Sequence, residues 1–228
     1  MRILVTFGGT REYIDAVRFI TNLSTGQTGS AIAGYLSRKG HEVVSLRSEG
    51  ALQMETGRVK TLEFTDFKDL DSKMRALLKE QTFDAVIHLA AVSDYSAASI
   101  RLGSKRLGAG RGRKINSNAG SMTITLKRNF KILDKIKDYA LENKKPYKPL
   151  VVGFKLTASA TKAGALKCVR ALKSADFVVH NDLRELNDAK NSHRFHIYKN
   201  GVKLYDCSGR LRLAKALHII LKGDRLCY

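Results

Sequence analysis

Apolar residues in this chain occur in short runs, separated by glycine turns and by stretches with helical spacing. Arg2–Phe7 is a β-branched apolar run that breaks at Gly8-Gly9. Residues 27–39 then carry Ile32, Tyr35 and Leu36 on one helical face and stop at Gly40, a C-cap residue. Residues 42–46 and 58–64 read as strands, and residues 66–80 as an amphipathic helix with Asp66 at its N-cap. Residues 84–89 are almost wholly apolar, the pattern of a strand buried on both faces of a parallel sheet. Residues 150–154 and 176–180 repeat that pattern, and helix-length segments lie at 130–142 and 161–174. This alternation predicts an α/β fold, a Rossmann-like doubly wound and mostly parallel sheet.

Two regions depart from the alternation. Residues 96–120 set Gly103, Gly108, Gly110 and Gly112 among Arg101, Lys105, Arg106, Arg111, Arg113 and Lys114. A structureless stretch of this length in a compact domain reads as a functional flap, here a flexible basic strap, or as simple disorder. Residues 193–206 alternate around Asn200-Gly201, the strongest short hairpin signal, and predict a C-terminal β-hairpin at the sheet margin. With no repeat and no interdomain linker, residues 1–228 read as one domain.

Composition changes this picture little: 43% hydrophobic and 27% charged residues fit a globular domain. The apolar run after Met1 is too short for a signal peptide, and nothing approaches the ~20 apolar residues of a membrane span. A cytoplasmic location is therefore expected. Cys168, Cys207 and Cys227 are far apart and odd in number, as expected of reduced thiols rather than a disulfide frame or zinc site. The net charge of +20 is a permissive signal only: such a surface attracts nucleic acid, anionic lipid or phosphorylated metabolites alike, and a basic proteome produces it as well.

In a sheet of this type ligands bind at the carboxyl ends of strands, so the candidate residues are those that follow each strand. Gly8, Gly9 and Thr10 follow the first: the glycines allow close backbone approach and Thr10 adds a hydroxyl, although tight turns also use glycine for steric reasons alone. Ser24, Thr25 and Gly26 lie where the next helix starts, and exposed N–H groups there favour a phosphate. The alternative is a plain Ser/Thr N-cap. Arg18 and Asn22 lie just upstream, and an uncompensated Arg suits an anionic ligand. Ala90 and Ala91 make room at the end of the 84–89 strand, where Asp94 can accept hydrogen bonds from an amino group or ribose hydroxyls. Phe154 can stack on a base or belong to the core, and His180-Asn181-Asp182 reads as turn chemistry. No HxxxH pair, GxSxG elbow or P-loop is present, and no metal ligands can be assigned.

The run Gly8-Gly9-Thr10-Arg11-Glu12, followed by Ile14-Asp15-Ala16-Val17-Arg18-Phe19-Ile20-Thr21-Asn22-Leu23-Ser24-Thr25-Gly26, closely resembles the opening of phosphopantothenate–cysteine ligases. Their pattern is roughly GGTxExID-x-VRxIxNxS[ST]GxxG. The resemblance continues at Ala90-Ala91-Val92-Ser93-Asp94-Tyr95, at Val152-Gly153-Phe154-Lys155 and at Asn181-Asp182. It implies ligation of cysteine to 4′-phosphopantothenate in coenzyme A biosynthesis, with CTP (or ATP) as co-substrate, Mg2+, and an acyl-nucleotide intermediate. By the same resemblance Asn22 contacts the activated acyl group, while Arg18 and the Ser24–Gly26 turn contact substrate and phosphate. Asp94 and Phe154 match nucleotide contacts. Lys114, in Lys114-Ile115-Asn116-Ser117, matches the first lysine of a strap that folds over the phosphates. Asn129 stands in Asn-Phe-Lys-Ile where many relatives have NPDI, so roles at Phe130-Lys131 do not carry over. Lys173 matches a nucleotide-contacting lysine; a second, expected four residues earlier, falls at Val169, with Lys167 or Arg170 as substitutes. Family members are dimers, so a homodimer is expected. The chain starts at the ligase module's first strand, so no flavin is expected.

Two alternatives stay open at this level. Ser24-Thr25-Gly26-Gln27-Thr28-Gly29 is similar to a dinucleotide-binding turn of a nicotinamide-dependent reductase, although it falls well past the first strand and no Tyr-x-x-x-Lys pair follows. The basic Arg/Gly/Lys stretch fits a nucleic-acid binder, but it lacks aromatic residues for base stacking.

Overall fold

The computed structural model describes residues 1–52, 59–116, 118–187 and 192–223; Arg58, Ser117 and Cys227 lie outside the described residues. In chain order the elements are β1 (Arg2–Phe7), β2 (Arg11–Tyr13), β3 (Phe19–Thr21), α1 (Gln27–Arg38), β4 (Glu42–Ser48) and β5 (Val59–Phe64). They continue with α2 (Phe67–Glu80), β6 (Ala85–His88), β7 (Tyr95–Leu102), β8 (Lys105–Gly108), β9 (Thr123–Arg128) and α3 (Ile136–Leu141). Last come β10 (Leu150–Thr157), α4 (Lys162–Arg170), β11 (Phe177–Asp182), β12 (Leu186–Asn187), β13 (Ser192–Lys199), β14 (Val202–Ser208) and α5 (Arg210–Lys222).

The described strands form a nine-stranded sheet, ordered β12-β13-β11-β10-β6-β1-β4-β5 with β14 paired to β13. The six strands from β11 to β5 run parallel, while β13 is antiparallel to β11. Strand order reverses at β1, whose neighbours are β4 and β6, and so opens the crevice in which such sheets bind ligands. The doubly wound fold and the C-terminal hairpin are therefore as the pattern predicts.

Alternation along β1 explains the layers. Ile3, Val5 and Phe7 pack with Ile32 and Leu36 of α1 and Leu213 and Leu217 of α5. Leu4 points the other way, among Leu70, Met74 and Leu78 of α2 and Ile136 of α3. Each such side chain, taken from water, contributes roughly 1.5–3 kcal/mol. Asp66 caps α2 as its position predicts, accepting from the Asp69 N–H at 2.9 Å.

Several expectations need correcting. Much of the supposed flap at 96–120 is regular: β7, β8 and β9 form a three-stranded antiparallel sheet. Its inner face has its own apolar cluster, with Ile14, Ile100 and Ile115 buried and Leu102, Leu107 and Ile124 packed on them. The glycines and arginines masked this period-two pattern. The 130–142 helix is a 3-10 turn (Ile132–Lys135) followed by the short α3, and α4 ends at Arg170 rather than 174. Among the described residues no helix is long and apolar enough to cross a membrane.

His88, the last residue of β6, is buried and shares a 2.7 Å hydrogen bond with Thr6 Oγ1. Burial lowers its imidazole from 6.5 to about 4. The unfolded chain therefore takes up a proton near pH 6.5 that the folded chain refuses, so this contribution is complete above that pH and is lost as pH falls towards 4. Between pH 7.5 and 5.0 the loss is about 2 kcal/mol, at ~1.4 kcal/mol per pH unit. Urea titrations at both pH values should show wild type falling by about that much more than His88→Gln; equal falls would refute the assignment.

Candidate functional site

β1 and β6 end side by side, and their loops continue the pairing. Gly9 bridges Ala91 in parallel register, and Ala91 N–H donates to the Gly8 carbonyl at 2.8 Å. From this floor the chain turns into the hairpin β2–β3 before reaching α1, so β1 does not feed the helix directly, as a dinucleotide turn would require. The hairpin returns over β1: a Cβ on Gly9 would lie 2.6 Å from the Asn22 carbonyl oxygen. Gly9 is thus glycine because its own chain crosses there. Thr10 is fully buried, and its hydroxyl donates to Ser93 Oγ at 3.0 Å while accepting the Ser93 N–H at 3.0 Å. In place of presenting a hydroxyl to ligand, Thr10 ties the two loops together.

Asn22 is exposed on this floor and donates through Nδ2 to the Val92 carbonyl at 3.2 Å. Ser24 and Thr25 are exposed beside it, but the N-cap of α1 is Gly26, left-handed at φ 78°, with no side-chain cap. The Gln27 N–H that opens α1 instead donates, at 3.5 Å, to the Thr25 hydroxyl one residue before the N-cap. Gly26 meets Phe7 and Ala51, and Gly29 sits on Phe7, which seats the helix start against β1.

Ala90 and Ala91 are half-buried and Asp94 is exposed, where it forms an ion pair with Lys131 that sequence reasoning missed. Asn129 belongs to the scaffold below them: its Nδ2 donates to the Ser93 carbonyl at 2.9 Å and to Ser96 Oγ at 2.8 Å. Ser96 in turn donates to the buried Glu12 at 2.6 Å, which also accepts the Phe67 N–H at the start of α2. Phe154 is half-buried against the core beneath β10. Lys173 is exposed on the connection entering β11, at that strand's amino end, so the structure does not bring it to the crevice at the strands' carboxyl ends. Asp182, read as turn chemistry, ends β11 and accepts from Thr157 Oγ1 at 2.6 Å and from the Ser159 and Ala160 N–H groups.

Arg18 is not uncompensated. Its Nε and Nη2 lie 3.0 and 2.5 Å from Oδ2 of Asp15, a fully buried carboxylate. The Arg18 guanidinium and the surrounding N–H donors hold Asp15 well below the usual carboxylate range. Arg18 nonetheless lines, with Val17, Lys114, Ile115 and Asn116, a pocket of about 480 Å³. Lys114 also lines a neighbouring hollow of about 350 Å³ with Lys105 and Arg113. Lys114 is exposed and has no ion pair among the described residues, so this concavity carries net positive charge. The candidates thus form two groups, the β1/β6 floor and the Arg18–Lys114 pocket, joined along the chain by β3. An acid three residues before an Arg was a signal for the Asp15 pair; nothing local announced Glu12, Ser96 or Lys131. Cys168 and Cys207 are free thiols, and burial raises Cys207 to about 11.

Residues 1–220 match the model of the DNA/pantothenate metabolism flavoprotein C-terminal domain. A coenzyme A biosynthesis bifunctional protein CoaBC of Thermococcus kodakarensis is 29% identical over 83% of this chain and 43% of its own length. Its counterpart in Escherichia coli K12 is 29% identical over 84% of this chain and likewise 43% of its own. The chain therefore spans well under half the length of these relatives. Among solved structures, the DNA/pantothenate metabolism flavoprotein of Streptococcus pneumoniae superposes with a TM-score of 0.82 at 28% identity, covering 98% of this chain and 99% of that one. The C-terminal domain of a CoaBC protein superposes at 0.67 with 26% identity, over 98% of this chain and 96% of that one. The chain belongs to the DNA/pantothenate metabolism flavoprotein C-terminal domain family.

Proposed function

We propose that this chain ligates cysteine to 4′-phosphopantothenate at the expense of CTP or ATP. The observation that carries the reading is that Arg18 and Lys114 line one pocket, and that the strand leaving Arg18, β3, leads to Asn22, which donates to the Val92 carbonyl on the loop floor. A carboxylate is a poor electrophile, so its oxygen first attacks the nucleotide's α-phosphorus and expels pyrophosphate. The resulting acyl-nucleotide is a mixed anhydride. The cysteine amine attacks its acyl carbon, loses a proton, and expels the nucleoside monophosphate as the amide forms. The protein's part is positioning and charge stabilisation.

In this reading Lys114 meets the triphosphate and the start of α1, with Ser24, Thr25 and Gly26, takes a phosphate or carboxylate. Asn22 faces the acyl group, Ala90 and Ala91 leave room for substrate, and Asp94 accepts from the nucleotide. Among the described residues no cluster of three acidic, His or Cys side chains could cage a metal. Mg2+ is proposed to arrive on the nucleotide's own phosphates. The exposed apolar side chains Val17, Phe19, Ile20 and Leu23 support a homodimer, and the cytoplasm is the proposed location.

The test is pyrophosphate release with 4′-phosphopantothenate and each nucleotide, with and without cysteine. We expect release with at least one nucleotide in the absence of cysteine, as a burst of about one equivalent, and steady turnover once cysteine is added. Absence of release with both nucleotides would refute the reading.

A further inference from the structure

Lys114 lies between β8 and β9 in a segment without helix or strand, yet its backbone is held on both sides. The peptide before it is fixed by the Ala16 N–H, which donates to the Arg113 carbonyl at 2.9 Å. The peptide after it is fixed by Asp15, whose Oδ2 accepts the Ile115 N–H at 3.1 Å. Arg18 Nη2 adds a bond to the Ile115 carbonyl at 3.0 Å. Asp15 is the hub: Oδ1 also accepts the Val17 and Arg18 N–H groups at 3.0 and 2.8 Å, which closes the turn that carries Ala16. Fixing both flanking peptides fixes the direction in which the Lys114 side chain leaves the backbone, while its ammonium stays exposed.

We propose that Asp15 is a positioning residue for Lys114, clasping the loop of Lys114 to the turn at residues 14–18 through Ile115 and Arg18. Asp15 has no exposed surface, so it acts through the groups it holds. It also neutralises Arg18, which lines the same pocket as Lys114. A second anchor lies at the start of the loop, where Arg111 stacks 4.0 Å over the Tyr13 ring and pairs with Glu49 at 3.2 Å. Loss of Asp15 therefore frees the Lys114 portion in particular. The catalytic consequence rests on the ligase reading; the clasp does not.

Two measurements on the full chain separate these. In Asp15→Asn, trypsin cleavage after Arg113 or Lys114, followed by mass spectrometry without ligands, should speed up at least ~10-fold relative to other sites; unchanged cleavage overturns the clasp. In the ligation assay, Lys114→Ala should cost at least ~10-fold less in kcat/KM in the Asp15→Asn background than in wild type, because a lysine already misplaced has little left to lose. Equal costs in both backgrounds mean Asp15 supports folding alone, which overturns the proposal. Asp15→Asn leaves Arg18 partly unpaired and can fail to fold, so Ala16→Pro serves as the second variant. It removes the N–H that holds Arg113, at an exposed position, and keeps the Asp15 carboxylate while restricting the backbone at residues 15 and 16, and the same two outcomes decide. Wild-type chain that releases no pyrophosphate refutes the ligase reading, while the cleavage pattern still decides the clasp.

Discussion

Replacing Lys114 with alanine is expected to lower nucleotide-dependent pyrophosphate release by ~10²–10³, the usual cost of one lost charge-stabilising donor. Lys114 suits this role because its ammonium is exposed and has no ion pair among the described residues while its backbone is clasped. It need not break an ion pair before it meets a phosphate. An ammonium on a four-carbon stem is a compact, rotatable charge that can follow a phosphoryl chain as bonds shift. Stability should change by less than about 0.5 kcal/mol, since the side chain buries nothing. The thermal midpoint should therefore stay put while turnover collapses, and Lys114→Arg should retain part of the activity by keeping the charge. Near-wild-type turnover in Lys114→Ala would remove this residue from the mechanism.

The legible and illegible parts of this molecule divide along a physical line. The parallel sheet could be read because residues 85–88 and 151–153 are buried on both faces, and burial leaves an apolar signature in the strand itself. The 193–206 hairpin could be read because Asn200 and Gly201 both sit at positive φ, the conformation such a turn requires. The small sheet β7–β9 could not, because only one of its faces is covered and its exposed positions are Arg101, Lys105, Arg106, Lys127 and Arg128. The position of the crevice followed from topology, whereas side-chain states within it depended on residues far away in sequence. Arg18 appeared free until Asp15 and Ile115 were placed against it. Asp94 appeared open until Lys131 arrived from the segment after β9. Thr10 appeared available until Ser93, 83 residues later, took its hydroxyl.

Asn22→Asp should separate the two chemical steps. The Asn22 amide donates to the Val92 carbonyl, and its own backbone carbonyl lies over Gly9, so the residue is fixed between the two loops of the floor. Aspartate keeps the shape but replaces a donor with a charged acceptor that faces a carbonyl it cannot bond. In the first step negative charge develops on the departing pyrophosphate, which in this reading Lys114 and the helix start meet, so pyrophosphate release should fall by less than ~10-fold. In the second step charge develops on the acyl oxygen next to residue 22. There the loss of a donor and the gain of a repelling carboxylate should reduce amide formation by at least ~10². A quenched-flow experiment should then show one equivalent of pyrophosphate released quickly, acyl-nucleotide accumulating on the protein, and slow product formation that more cysteine does not restore. Were Asn22 to act in binding alone, both steps would weaken together and saturating substrate would rescue both, because a uniform binding contribution appears in KM and leaves kcat alone.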